Sequence, residues 1–292
     1  MDQRLDITMR AAAGSAHGTL GRRSRETVVM VLHKRTVASG EVTISYRDTG
    51  GNQPPVVILH GLAGSGMEFI ATAEALPEYR LILVDLRAHG DSTRRPRDLS
   101  RAAYVGDVVQ VIETAAGGPV ALIGQSMGGH TAMLVAAARR DLVTKLVLLE
   151  TTAGGDGDET AREAMRRYFD SWPVPFADEQ AASDFLGEGA LERAWVANLE
   201  HRADGLSPKF ESDAMVETME AVDEEPRWAE WESVTAPTLV VFAEDGMFDE
   251  DTRRKFVARG RQVQRVDIPR SGHDAHLDAP SAWTATLRAF LQ

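Results

Sequence analysis

The stretch Val120-Ala121-Leu122-Ile123-Gly124-Gln125-Ser126-Met127-Gly128-Gly129-His130 decides how this chain is read. Its first four residues are an apolar run of the kind that makes a buried strand. Gly-x-Ser-x-Gly follows at once, and residues 131–139 are Ala-rich and helical in pattern. The order strand, tight turn, helix places Ser126 on the turn, where small neighbours let the backbone take a strained conformation. The hydroxyl is thrust into the open. The N–H of Met127, at a helix start, then faces any oxyanion that develops beside it. A serine so placed is a candidate nucleophile.

Outward from that stretch, apolar runs recur at residues 56–59, 81–84, 145–149, 238–242 and 262–268. Helical stretches at residues 67–76 and 101–115 separate the first of them, and residues 282–291 form a closing helix. Residues 36–47 alternate apolar and polar around Ser39-Gly40, an antiparallel hairpin pattern. Buried strands alternating with amphipathic helices predict an α/β fold, a mostly parallel twisted sheet with helices on both faces. Ligands in such sheets bind at the carboxyl ends of the strands. Between Thr152 and Thr235 charge rises, strands vanish and helical periodicity dominates, with Pro173 and Pro175 breaking the first helix. Tyr168, Phe169, Trp172, Phe176, Phe185, Trp195, Trp228 and Trp231 run through this segment and predict an apolar cleft under a lid.

These motifs, in this order, resemble the α/β-hydrolase superfamily. Pro55-Val56-Val57-Ile58-Leu59-His60-Gly61-Leu62 is similar to the family's third strand and its His-Gly-x oxyanion loop. Asp85-Leu86-Arg87-Ala88-His89-Gly90-Asp91-Ser92 is similar to the turn after its fourth strand, with Ala88 where Gly is usual. Ser271-Gly272-His273-Asp274 resembles the loop that delivers the base. The resemblance implies oxyanion donors at the N–H groups of Leu62 and Met127, and His273 as general base. It implies structural roles for Asp85, His60 and His89. It also implies a helical cap after the sixth strand, so that residues 28–152 and 235–292 form the core and residues 153–234 the cap. Ser65 and Gly66 are pocket-lining candidates, and His130 is expected to pack.

The acid that should orient His273 departs from the family pattern. In Phe242-Ala243-Glu244-Asp245-Gly246-Met247-Phe248-Asp249, after the seventh strand, the expected aspartate position falls on Gly246. Asp245 lies one residue early, Glu244 two early, and Asp249 three late, where it reads as a helix N-cap. Glu150 follows Leu146-Val147-Leu148-Leu149 at the end of the sixth strand. A branch of the superfamily that includes some haloalkane dehalogenases keeps its acid at that strand end. Glu150 and Asp245 therefore both stand as candidates, with Asp249, Glu244 or no acid as further possibilities. His276 makes a His-x-x-His with His273, but no carboxylate or third His accompanies the pair at metal-ligand spacing. No metal site is expected.

Composition narrows the classes. The chain has 292 residues, 43% of them hydrophobic, which suits one large domain with an insertion. A net charge of −12 argues against nucleic acid and anionic membrane as partners. There is no cysteine, hence no thiol nucleophile, which is compatible with a cytoplasmic protein. Residues 1–27 are polar and Arg-rich and read as a flexible extension; a start at Met30 is the alternative reading. The expected activity is a cofactor-free serine hydrolase on a carboxylic ester, thioester or lactone with an apolar portion. Serine at the elbow argues against dehalogenase and epoxide hydrolase chemistry. Carbon–carbon bond hydrolase, perhydrolase, lyase and small-molecule receptor are the alternatives, and the sequence leaves the substrate-binding residues open.

Overall fold

The computed structural model describes residues 4–5, 30–155, 157 and 159–292. The eight principal strands are β1 Leu32–Ser39, β2 Val42–Asp48, β3 Pro55–Leu59, β4 Arg80–Val84, β5 Val120–Gln125, β6 Val143–Leu149, β7 Thr238–Ala243 and β8 Val263–Ile268. They lie side by side in the order β1-β2-β4-β3-β5-β6-β7-β8. The first two are an antiparallel hairpin, β2 pairs antiparallel with β4, and all later pairings are parallel. Arg4–Leu5 pair antiparallel with Leu32 and His33 at the sheet edge. The rest of the expected extension, and the stretch preceding Met30, fall outside the described residues.

Alternate residues of the central strands feed opposite faces, as a period of two requires. Val57, Leu59, Leu122, Leu146, Leu148 and Phe242 pack beneath α2 (Arg101–Val111) and α3 (Met127–Ala138). Val56, Ile58, Ile123, Val147, Leu149 and Val241 pack against the other layer. That layer is α1 (Ile70–Ala75) and the C-terminal helix Pro280–Leu291, tied by a 3.1 Å bond from Trp283 Nε1 to Thr72 Oγ1. Both faces are covered, so strands apolar along their whole length are stable here.

Local detail departs from the periodicity reading at helix ends. The first helical stretch opens as a 3₁₀ turn, Gly66–Phe69, capped by Ser65, and residues 112–116 form a π turn at the end of α2. The third helix begins at Met127, before its Ala-rich part. The cap comprises α4 (Glu159–Asp170), α5 (Glu179–Leu186), α6 (Ala190–Asn198), α7 (Ser212–Asp223) and α8 (Trp228–Ser233). It is not free of strands: Glu200–Arg202 and Gly205–Ser207 pair as a small hairpin. These segments are three residues each, too short for periodicity to register. Polar bonds tie cap to core, from Arg94 to Glu200 at 2.6 Å, Lys209 to Asp91 at 2.9 Å and Tyr104 to Thr218 at 2.9 Å. Among the described residues no helix is long and apolar enough to cross a membrane.

Candidate active site

Ser126 sits between β5 and α3 with φ 53° and ψ −122°, a backbone conformation that a non-glycine residue holds only under constraint. The constraint is visible in its neighbours. A Cβ on Gly124 would lie 2.3 Å from the Gly128 carbonyl oxygen, and one on Gly128 would lie 2.3 Å from that of His60. Side chains at either position would push α3 off the sheet. Their absence seats the first turn of α3 against the end of β3, so Met127 and Leu62 approach from two sides. As the first residue of α3, Met127 has no acceptor for its N–H within the helix.

Glu150 follows β6 with φ 47° and is fully buried. Its Oε1 accepts the N–H of Ala243 at 2.8 Å and its Oε2 that of Met247 at 2.9 Å. The same Oε2 lies 3.3 Å from His273 Nδ1. The space it occupies is the space Gly246 leaves empty: a Cβ there would meet Oε1 at 2.3 Å and Oε2 at 2.5 Å. The missing aspartate of the seventh-strand loop and the glutamate of the sixth-strand end are thus two halves of one exchange of volume.

The other acid candidates point elsewhere. Asp245 is exposed, and its N–H donates to the Ser271 carbonyl. Glu244 accepts from the N–H of Arg270 at 2.8 Å, and Asp249 caps the helix Glu250–Arg259 through Thr252. The structure brings Glu150 to His273 and leaves Asp245 away from it.

Asp85, His60 and His89 hold the frame. Asp85 accepts the N–H groups of Gly66 and Asp91 at 2.9 and 3.0 Å and so joins the two loops that follow β3 and β4. His60 Nε2 accepts the N–H of Leu86, which leaves the proton on Nδ1 for the Gly61 carbonyl. Burial pushes His60 down to about 4 and His89 to about 3, so both are neutral. His276 is buried with its ring stacked on Phe69, 4.4 Å between centroids, and does not pair with His273. Ser65 caps the 3₁₀ turn, and neither it nor Gly66 is among the residues lining the pocket.

Ser126, Glu150 and His273 open on one pocket of about 450 Å³. None of the cap aromatics singled out in the sequence is among the residues lining it. Trp172 instead packs against Phe169, Phe176, Trp195 and Phe210 at 5.5–6.1 Å between centroids. Trp231 stacks on Phe256 at 4.4 Å. Phe169, Trp172 and Phe210 line a separate cleft with Arg94. The pocket at Ser126 is walled by Met127, Met165, Met219, Met247 and Phe248, with Arg162 and Asp223 paired at 3.6 Å. Methionine is unbranched and polarisable and fits irregular ligands. Sequence offered no signal for it, since these four residues come from four separate elements.

Set against known families, residues 54–280 match the model of the alpha/beta hydrolase fold. The chain belongs to that family. Within the α/β-hydrolase fold family, it is 27% identical to the sn-1-specific diacylglycerol lipase ABHD11 of Mus musculus, over 94% of this chain and 96% of the relative. It is 28% identical to the 2-succinyl-6-hydroxy-2,4-cyclohexadiene-1-carboxylate synthase of Serratia proteamaculans, over 82% and 94%. Among solved structures, E-2-(acetamidomethylene)succinate hydrolase superposes with a TM-score of 0.81 at 23% identity, covering 89% of this chain and 99% of that one. The chain is thus an α/β-hydrolase enzyme, and its fold is that of known hydrolases.

Proposed function

We propose that the protein is a serine hydrolase that cleaves a carboxylic ester, thioester or lactone through an acyl-enzyme on Ser126. His273 takes the Ser126 proton as general base, and the N–H groups of Leu62 and Met127 hold the tetrahedral oxyanion. His273 then protonates the leaving group, and water activated by the same imidazole releases the acid. Glu150 accepts the Nδ1 proton of His273, fixes the tautomer that exposes Nε2 to the serine, and stabilises the imidazolium. The observation that carries this reading is the Glu150–His273 contact in the space vacated at Gly246. The lipase relative agrees with ester chemistry. The test is p-nitrophenyl ester hydrolysis by wild type, Ser126→Ala, Glu150→Gln and Asp245→Asn. Loss with the first two substitutions and retention with the third is expected. Loss with Asp245→Asn alone among the acids would return the acid role to the seventh-strand loop.

The relative named as a synthase favours a second reading, in which Ser126 and His273 serve carbon–carbon or lyase chemistry on the same scaffold. Mass spectrometry of rapidly quenched enzyme separates the two. An acyl adduct on Ser126 supports ester cleavage, and turnover without an adduct supports the second.

A further inference from the structure

Gln125 closes β5 one residue before Ser126 and is 2% exposed, a primary amide at the end of an apolar central strand. A buried amide needs partners, and these are specific. Its Nε2 donates to Asp274 Oδ1 at 3.1 Å and reaches the His273 carbonyl oxygen at 3.4 Å. A backbone carbonyl can only accept, so the end of the amide facing it is the NH2 end. The other end lies against Gly61, where a Cβ would come within 2.1 Å of Oε1 and 3.1 Å of Cδ. Gly61 is the residue before Leu62, so the amide fills the gap between the oxyanion loop and the loop that carries the base. Its backbone continues directly into Ser126.

The base loop is tied on either side of His273. Before it, the Arg270 N–H donates to Glu244, Ser271 Oγ to the Ile268 carbonyl and the Gly272 N–H to Asp278, each at 2.8–2.9 Å. After it, the N–H groups of Leu277 and Asp278 donate to the Asp274 carbonyl. His273 itself is held from two directions, at Nδ1 by Glu150 and at its carbonyl by Gln125. The Glu150 contact is 3.3 Å long, so a small retreat of the loop would break it.

We propose that Gln125 is a positioning residue: it holds His273 in register with Ser126 through Asp274 and the His273 carbonyl, and it sets the width between the base loop and the oxyanion loop. This rests on the ester-hydrolase reading for the roles of Ser126 and His273, and adds a residue to it. The amide suits the task because it offers two donors to two acceptors and brings no charge beside the imidazole. A misplacement of about 1 Å costs about 10²-fold in rate.

Turnover and loop motion test it separately. Gln125→Met keeps the length of the side chain and removes the donors. It is expected to lower kcat for p-nitrophenyl butyrate about tenfold to a hundredfold, with KM within about twofold of wild type. Asp274→Ala should lose kcat in the same way, and the double variant should lose no more than the worse single, because both act through one bond. Gln125→Glu turns a carboxyl group toward that of Asp274 and should also lose kcat. Adding Asp274→Asn to it sets a donor opposite an acceptor again and should recover part of the loss. A kcat in Gln125→Met within about threefold of wild type, a loss carried by KM, or additive losses in the double variant would overturn the positioning role. Where Gln125→Met does not fold, recovery in Gln125→Glu, Asp274→Asn over Gln125→Glu decides, and no recovery overturns it. Amide hydrogen exchange reads the hold without turnover: peptides spanning residues 270–274 should exchange faster in Gln125→Met, and unchanged exchange overturns it. If wild type hydrolyses no ester but the loop loosens in Gln125→Met, the positioning role stands and the ester reading falls. If wild type hydrolyses the ester and Gln125→Met matches it, the positioning role falls and the ester reading stands.

Discussion

Substituting Gly246 by alanine should disable the enzyme while leaving it folded. The added Cβ would lie 2.3 Å from Glu150 Oε1 and 2.5 Å from Oε2, closer than non-bonded atoms approach, so the carboxyl group must move. It is fully buried and held by the N–H groups of Ala243 and Met247, and moving it breaks its 3.3 Å contact with His273. Overpacking costs about 1–3 kcal/mol of stability. Loss of a triad acid costs about 10⁴ in kcat, which is about 5.4 kcal/mol of transition-state stabilisation. The effect on turnover should therefore exceed the effect on stability. Steady-state hydrolysis of a short p-nitrophenyl ester, well below the Tm measured for the same preparation, reads both quantities. A folded Gly246→Ala enzyme with kcat within about threefold of wild type would refute the assignment of Glu150 as the orienting acid.

Ser126→Ala should leave only background hydrolysis, whereas Asp245→Asn, on an exposed carboxyl group, should keep kcat/KM within about twofold by the same assay. The double variant Glu150→Gly, Gly246→Asp should recover part of the activity that Glu150→Gly loses, since it returns a carboxyl group to the same space; no recovery would show that the seventh-strand position cannot reach His273. Burial holds His60 and His276 at about 4 and His89 and His130 at about 3, against about 6.5 in the unfolded chain. The unfolded chain binds more protons in that window, so thermal scans should show stability falling as pH drops from about 6.5 toward 4. Glu68 acts in the opposite sense. Burial raises it from 4.5 to about 8, so its contribution is lost as pH rises through about 8, and Glu68→Gln should raise Tm at pH 8–9 but not at pH 5.

The strand ends were legible in the sequence because the residues that carry them are adjacent. Gly124 to Gly128 encodes the elbow within one turn, and Glu150 is visible because the preceding apolar run fixes where β6 stops. The offset at Gly246 was legible as a gap in a pattern. That Glu150 fills the gap was not, since the two residues meet only through the register that pairs Leu149 with Val241. The cap was harder. Helical spacing shows that Phe169 and Trp172 face something apolar, but not whether that is ligand or protein, and here it is protein.

The pairing of Gln125 with Leu149 and of Leu149 with Val241 has a consequence for how this enzyme can change. Ser126 donates its N–H to the Leu149 carbonyl and Glu150 donates its own to Val241, so both residues sit on one lateral row of the sheet. Strand spacing, about 4.8 Å, acts as a ruler between them. An aspartate on the loop after β7 would tie that distance to loop length. Here Glu150 is held by the N–H of Ala243, the last residue of β7, and by that of Met247 on the loop, whose side chains Met247 and Phe248 wall the pocket. Those side chains can drift under selection for new substrates while the ruler keeps Glu150 and Ser126 in place.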